Sequence, residues 1–245
     1  MPEIRPGTAH LAIASPPFTN QPDGKTLDKN NYISFVSTVL SEIFRTLIPG
    51  GFLVTVNTDL RDHARYNRGD RGFEGRLWQK HADIRIVAES LGFRCVETKI
   101  WAKSLTRSVY RYTFSYVQFF QRPSEHYQKT LRKNVETEFA PDVWLLEKGT
   151  IRRNLRGFVF RDAIHPEIVR RCLNQFTSVG DLIVCPFTGS GTVLSVANLM
   201  KRRCIGFETN LALRNLITES IRTPEHFPAY TSCIQRCKVE HRPRI

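Results

Sequence analysis

At 245 residues the chain is long enough to bury a full core, and a single α/β domain of that size is ordinary. A hydrophobic fraction of 41% beside 24% charged residues excludes wholesale disorder, and no apolar run approaches the roughly 20 residues that cross a bilayer. The net charge of +13 sets up a field that draws in polyanions, although a merely basic, solvated surface carries the same charge.

The N-terminus, Met1-Pro2-Glu3-Ile4-Arg5, lacks the apolar core of a signal peptide. A short apolar run, Ala9–Ala14, is followed at once by Ser15-Pro16-Pro17-Phe18. Two prolines cannot continue a ladder, so this predicts a buried strand ending in a rigid turn. Residues 31–47 carry apolar side chains at helical spacing, among them Val36, Leu40 and Ile43. Pro49-Gly50-Gly51 is expected to stop that helix, with Phe52–Val56 as the next strand.

A polar, cationic loop follows over 59–80, with Arg61, Arg65, Arg68, Arg71, Arg76 and Lys80 spaced around three glycines. Loops of that length in a compact domain are functional or disordered. A helix over 82–91 ends at Gly92, and Phe93–Trp101 and Tyr112–Phe120 read as two neighbouring strands, a hairpin. From Arg122 to Arg156 the periodicity fades, with Asp142–Trp144 as the one apolar anchor. A last α/β unit begins near His165-Pro166 and runs through Glu208, and the residues after about Thr223 read as a peripheral tail.

The six cysteines, at 95, 172, 185, 204, 233 and 237, form no CxxC cluster; they read as reduced thiols in a cytosolic or nuclear compartment, and no metal is expected. Within the last unit, Leu182–Cys185 reads as a buried strand, Gly189-Ser190-Gly191 as a tight turn, Val193–Met200 as a helix and Cys204–Phe207 as a strand ending in Glu208. Glycines admit a ligand close to the backbone, and the helix start offers unpaired N–H groups. An acid about 20 residues past such a turn suits ribose hydroxyls, so the unit is expected to hold a nucleoside. A dinucleotide fold competes with this, but Leu194 stands where its third glycine would be.

Together the two motifs resemble the permuted, or β-class, DNA amino-methyltransferases, in which the catalytic tetrapeptide precedes the cofactor loop. That family's loop reads Asp-Pro-Phe-x-Gly-Ser-Gly-Thr, and here the stretch is Cys185-Pro186-Phe187-Thr188-Gly189-Ser190-Gly191-Thr192. Arg203–Glu208 is similar to the family's Arg-x-x-Ile-Gly-x-Glu, and Ile100-Trp101-Ala102-Lys103 to its Ile-Trp-x-Lys strand. Phe160–Pro166 and Asn57-Thr58-Asp59 are similar to two further cofactor-side segments.

The resemblance implies an α/β, Rossmann-like methyltransferase fold: a doubly wound, mostly parallel sheet with an antiparallel hairpin. It implies one catalytic domain over 1–222 with a tail over 223–245, and S-adenosyl-L-methionine as cofactor. The cofactor would be held by Asn57, His165, Cys185, Phe187, Gly189, Ser190, Gly191, Thr192 and Glu208. Ser15, Pro16, Pro17 and Phe18 would be catalytic. An aromatic amine is a poor nucleophile because its lone pair is delocalised. Two acceptors on its N–H groups, the Ser15 hydroxyl and the Pro16 carbonyl, would favour the pyramidal form that attacks a sulfonium methyl, while Phe18 stacks on the flipped base.

Serine at the first tetrapeptide position resembles the cytosine-N4 branch, with adenine N6 as the alternative. Two departures stand out: Phe18 replaces the usual tyrosine and Cys185 the usual aspartate. They leave a catalytically weakened binding subunit open, and RNA remains open as a substrate beside DNA. The DNA would be met by Arg65, Arg68, Arg71, Lys103, Arg107 and Arg111, together with the other cations of the loop 61–80, Lys80 included, and of 104–156, such as Arg122; in the family's terms 104–156 is a short target-recognition segment. The resemblance allows a homodimer.

Overall fold

The computed structural model describes residues 1–17, 28–61, 77–103, 113–124, 137–146, 152–153, 159–160 and 163–224. Eleven strands and five α-helices are present among them. In chain order they are β1 (Ala9–Ala14), α1 (Lys29–Thr46), β2 (Leu47–Asn57), β3 (Leu60–Arg61), β4 (Leu77–Trp78), α2 (Lys80–Ser90), β5 (Arg94–Ala102), β6 (Phe114–Gln121), β7 (Val143–Leu145), β8 (Arg152–Arg153), β9 (Val159–Phe160), α3 (Pro166–Phe176), β10 (Leu182–Cys185), α4 (Thr192–Leu199), β11 (Arg203–Gly206) and α5 (Arg214–Arg222).

Seven strands form the central sheet in the order β11-β10-β1-β2-β6-β5-β7. β1 runs parallel to both β10 and β2, β10 parallel to β11, and β5 parallel to β7, while β6 is antiparallel to both its neighbours. The expected α/β sheet with one antiparallel hairpin is therefore what forms. β3 with β4, and β8 with β9, are separate two-stranded ladders.

Helices cover both faces, which is why the central strands read as nearly unbroken apolar runs. Leu11 and Ile13 of β1 face α3, α4 and α5, packing in one core with Ile168, Val193 and Leu216. Ala12 and Ala14 point the other way, onto Val36, Leu40 and Ile43 of α1 and Ile84 of α2. Each buried leucine or isoleucine contributes roughly 1.5–3 kcal/mol to holding these layers.

The helix ends follow local chemistry. Asp28 caps α1 by accepting from the Asn31 N–H at 3.0 Å. Gly92, at φ +96°, closes α2, and the next N–H, of Phe93, returns to the Ala88 carbonyl at 3.1 Å.

One boundary differs from expectation. Pro49-Gly50-Gly51 does not end α1; the helix stops at Thr46 and β2 already begins at Leu47. The pairing of β1 with β2 jumps from Ala9–Leu47 to Leu11–Phe52, so Pro49 sits in a bulge where no ladder N–H is needed. A side chain on Gly51 would meet the Ile48 and His10 carbonyls at 2.9 and 3.1 Å.

The stretch 104–156 is not a separate segment throughout. Residues 114–121 form β6 between β2 and β5, and 143–145 form β7 at the sheet edge. Trp144 is fully buried there against Phe119 and Phe139, with Lys99 over the Phe139 ring at 4.8 Å. No helix is long and apolar enough to cross a membrane among the described residues.

Candidate active site

Six strands of the sheet, β1, β2, β5, β7, β10 and β11, end on the same edge, and the residues of both sequence motifs lie just beyond the ends of β1 and β10. β1 pairs with β10 through Ala12–Val184 and with β2 through Ala14–Thr55. The chain moves outward from β1 to β2 in one direction and from β10 to β11 in the other. The crevice between β1 and β10 is thus the topological switch point, where open α/β sheets bind their ligands. Ser15-Pro16-Pro17 leaves β1 there, with Ser15 half-buried, Pro16 buried and Pro17 exposed. Phe18 lies outside the described residues.

Across the crevice, β10 turns into α4 through a glycine loop. Gly189 and Gly191 hold φ of +54° and +84°, a conformation that side chains rarely adopt. The Gly191 N–H donates to the Thr188 carbonyl at 2.9 Å, and the Thr188 N–H to the Phe207 carbonyl at 3.0 Å, tying the loop to the end of β11. Gly206 is needed for that approach: a Cβ there would lie 2.5 Å from Thr188 Oγ1. Glu208 then reaches back. Its carboxylate accepts from the Gly189 N–H at 2.8 Å and from the Asn210 N–H at 2.9 Å. Ser190 and Thr192 are buried, their hydroxyls 3.3 Å apart.

Cys185 ends β10 with its Sγ 3.5 Å from the Phe187 carbonyl. Burial pushes its thiol up to about 12, so it is inert at neutral pH and fills space at the strand end. Phe187 tilts against Phe35 of α1 at 5.8 Å, packing on the face of the sheet opposite α4. His165 caps α3, its Nδ1 accepting the Glu167 N–H at 3.2 Å, with Pro166 preset as the first helical residue. Its ring meets Trp101 of β5 edge-on at 6.3 Å. Asn57 ends β2, buried, and donates to Gln118 Oε1 at 3.0 Å. Its own Oδ1 is buried with no hydrogen-bond partner among the described residues.

Of the six expected DNA contacts, Arg65, Arg68, Arg71, Arg107 and Arg111 lie outside the described residues. Lys103 stands at the same sheet edge, Nζ 3.5 Å from Thr58 Oγ1 and 4.8 Å above the Trp101 ring. Two cations that the sequence grouped with these are placed elsewhere. Arg122 donates to the Phe44 carbonyl at 3.0 Å and to that of Leu47, at the C-terminal end of α1 and the far edge of the sheet. There it satisfies orphan carbonyls and complements the helix dipole. Lys80 is the first residue of α2, buried, with Nζ 3.2 Å from the Pro17 carbonyl.

Sequence reasoning also passed over His81 and Gln118. Asp59 accepts from the His81 N–H at 3.2 Å and from its ring Nδ1 at 2.8 Å, and the ring stacks on Tyr116 at 3.9 Å. No local signal marked them, because Asp59 lies 22 residues from His81 and Asn57 61 residues from Gln118 along the chain.

Comparison with known proteins agrees with this arrangement. A family described as DNA methylase, of N6/N4 amino-methyltransferases, matches residues 9–219. The type II methyltransferase M.MjaI of Methanocaldococcus jannaschii is 24% identical over 280 aligned positions, covering 90% of this chain and 88% of that protein. The structure of TTHA0409 from Thermus thermophilus complexed with S-adenosyl-L-methionine superposes with a TM-score of 0.69 at 25% identity, covering 93% of this chain and 91% of the other. The cytosine-N4-specific PvuII DNA methyltransferase shares the fold, with a TM-score of 0.64 at 15% identity over 90% and 88% of the two chains. The chain therefore belongs to the DNA methylase family of N6/N4 amino-methyltransferases, an S-adenosyl-L-methionine-dependent group of enzymes that act on DNA.

Proposed function

We propose that this enzyme methylates the exocyclic N4 amine of cytosine in DNA, within a catalytic domain spanning 1–222. The observation that carries the reading is the juxtaposition of Ser15-Pro16-Pro17 with the glycine loop of 186–191 across the β1–β10 crevice. Serine as the first residue of that tetrapeptide is what favours cytosine over adenine.

The residues on the loop side fit the cofactor. The left-handed glycines leave a concave backbone, and Glu208 presents carboxylate lone pairs beyond the two it spends on backbone N–H groups. The Asn57 Oδ1, buried and without a hydrogen-bond partner among the described residues, is a ready acceptor for the cofactor's amino group, since leaving it unsatisfied costs about 1–3 kcal/mol. Glu208 would hold the ribose, Gly189, Ser190, Gly191 and Thr192 the loop contacts, and Phe187, His165 and Cys185 would shape the walls. S-adenosyl-L-methionine supplies a methyl group activated as a sulfonium.

On the substrate side, the Ser15 hydroxyl and the Pro16 carbonyl accept the two N–H groups of a flipped-out base, which turns its nitrogen lone pair out of the ring. The consecutive prolines limit the carbonyl's direction, so this alignment is held before substrate arrives. Phe18 stacks on the base. Lys103, with the arginines of 65–71 and 107–111, meets the phosphates.

Mass spectrometry of nucleosides from DNA of cells expressing the chain, beside a Ser15→Ala control, tests this. N4-methylcytosine is expected with the unaltered chain alone. N6-methyladenine in its place would keep the mechanism and overturn the base assignment. A modified base found only in RNA would overturn the substrate.

A further inference from the structure

Lys80 is an odd residue for its place. It opens α2, where the helix dipole disfavours a cation, and it is 1% exposed, where burial disfavours one further. An apolar side chain of the same length would suit a purely structural role better. Among the described residues it meets the Pro17 carbonyl, 3.2 Å from Nζ, and the Tyr32 ring, 4.5 Å away. Asp59, just beyond the end of β2, supplies the nearby negative charge.

The turn that carries Lys80 is itself held from two strands. Asp59 binds both the backbone and the ring of His81. Gln118 of β6 donates to the His81 carbonyl at 3.1 Å while accepting from Asn57 at 3.0 Å. A continuous set of hydrogen bonds therefore runs from Asn57 at the end of β2, through Gln118 and His81, to the start of α2, and from Lys80 on to the tetrapeptide. Every member sits on or directly beside a regular element except the last, Pro17.

We propose that Lys80 is a positioning residue for methyl transfer, its Nζ tying the Pro17 carbonyl to the β2–β6–α2 frame and so aiming the Ser15 and Pro16 acceptors at the target amine. This rests on the amine-methylation reading above. Pro16 and Pro17 have φ confined by their rings, so orienting the Pro17 peptide leaves Pro16 little freedom. A misplacement of about 1 Å in such acceptors is enough to cost on the order of 100-fold in rate. Lys80 reaches neither base nor methyl group in this role, and its effect passes through the tetrapeptide.

The test compares the full-length wild type, Lys80→Met and Lys80→Arg in transfer of tritiated methyl from S-adenosyl-L-methionine to DNA lacking modified bases. Lys80→Met nearly matches the lysine in shape and leaves no buried charge, so a melting temperature at least equal to wild type is expected. Its kcat should fall tenfold or more, with cofactor Kd and the KM for DNA within about threefold of wild type. Lys80→Arg, which keeps a cationic donor, should retain more of kcat than the methionine variant. A smaller fall in Lys80→Met, a fall matched by lost cofactor affinity or lost folded protein, or an arginine variant no better than methionine overturns the proposal. A wild type that transfers no methyl group to DNA sinks the functional reading and this inference with it. An active wild type with an equally active Lys80→Met sinks the inference alone.

Discussion

Substituting alanine for Gly191 perturbs the glycine loop in two separable ways. Gly191 precedes α4 at φ +84° and ψ 13°, and an L-residue in that conformation costs about 1–2 kcal/mol. The added Cβ would also lie 2.6 Å from Ser220 Oγ and 3.2 Å from the Cα of Ile217, both on α5. Helix backbone cannot step aside as a side chain does, so overpacking adds about 1–3 kcal/mol. For a chain of this size each kcal/mol moves the midpoint by roughly 2–4 °C, giving an expected fall of about 4–20 °C. Gly180 supplies the control: its φ is +87°, but nothing lies within 4 Å of an added Cβ. Gly180→Ala should therefore show the conformational part alone, roughly 2–8 °C. Ser220→Ala in the Gly191→Ala background should recover part of the difference, because it removes the nearest obstructing atom. Ser220 Oγ is buried with no hydrogen-bond partner among the described residues, so its loss is nearly neutral by itself. Thermal melts followed by circular dichroism read all four proteins. A Gly191→Ala protein that melts where Gly180→Ala does refutes the close-approach argument.

Glu208→Gln keeps the shape of the side chain but sets an amide N–H against one of the two backbone donors it now accepts from, at Gly189 or Asn210. Cofactor affinity by titration calorimetry should weaken about 10- to 100-fold, and unchanged affinity would remove Glu208 from the site. Cys185, with its thiol pushed up to about 12 by burial, should resist iodoacetamide at pH 8 in the folded protein and react in denaturant; mass spectrometry finding it alkylated in the native state would contradict its placement. Lys80 carries a pH signature, because burial lowers its ammonium from the ordinary 10.5 to about 8. Between those values the unfolded chain binds more protons than the folded one, so stability rises with pH across that window. Relative to Lys80→Met, the wild type should gain about 2–3 kcal/mol from pH 7.5 to 10.5 in denaturant titrations, and a flat difference would mean that the lysine titrates normally.

Much of the site was readable because its signals are local. Gly189 and Gly191 announce a turn that needs positive φ, Pro16 and Pro17 end a strand, and Glu208 closes the next strand. His165-Pro166 marks a helix start, although the cap is made by an imidazole nitrogen rather than by a common capping oxygen. Lys80 and Arg122 were misassigned to a DNA-facing charge set because composition counts a cation without its environment. One turned out to lie buried under the tetrapeptide, the other at the distal end of α1. Pro49-Gly50-Gly51 was misread for a related reason: whether such a tripeptide ends a helix or kinks a strand depends on what β1 and β6 present to it.

Periodicity and turn chemistry act over a few residues, and they suffice for the order of the longer strands and helices up to Glu208, the strand-end placement of both motifs and the family those motifs mark, but not for the edge strand β7 or for α5. Strand neighbours are chosen over far longer separations. β10 docks on β1 across some 170 residues, and β6 slips between β2 and β5 to reverse the direction of one strand in seven. No local propensity encodes those choices, because they follow from which arrangement buries both apolar faces of the sheet at once. Only that packing brings the tetrapeptide to the glycine loop, and Lys80 to the tetrapeptide.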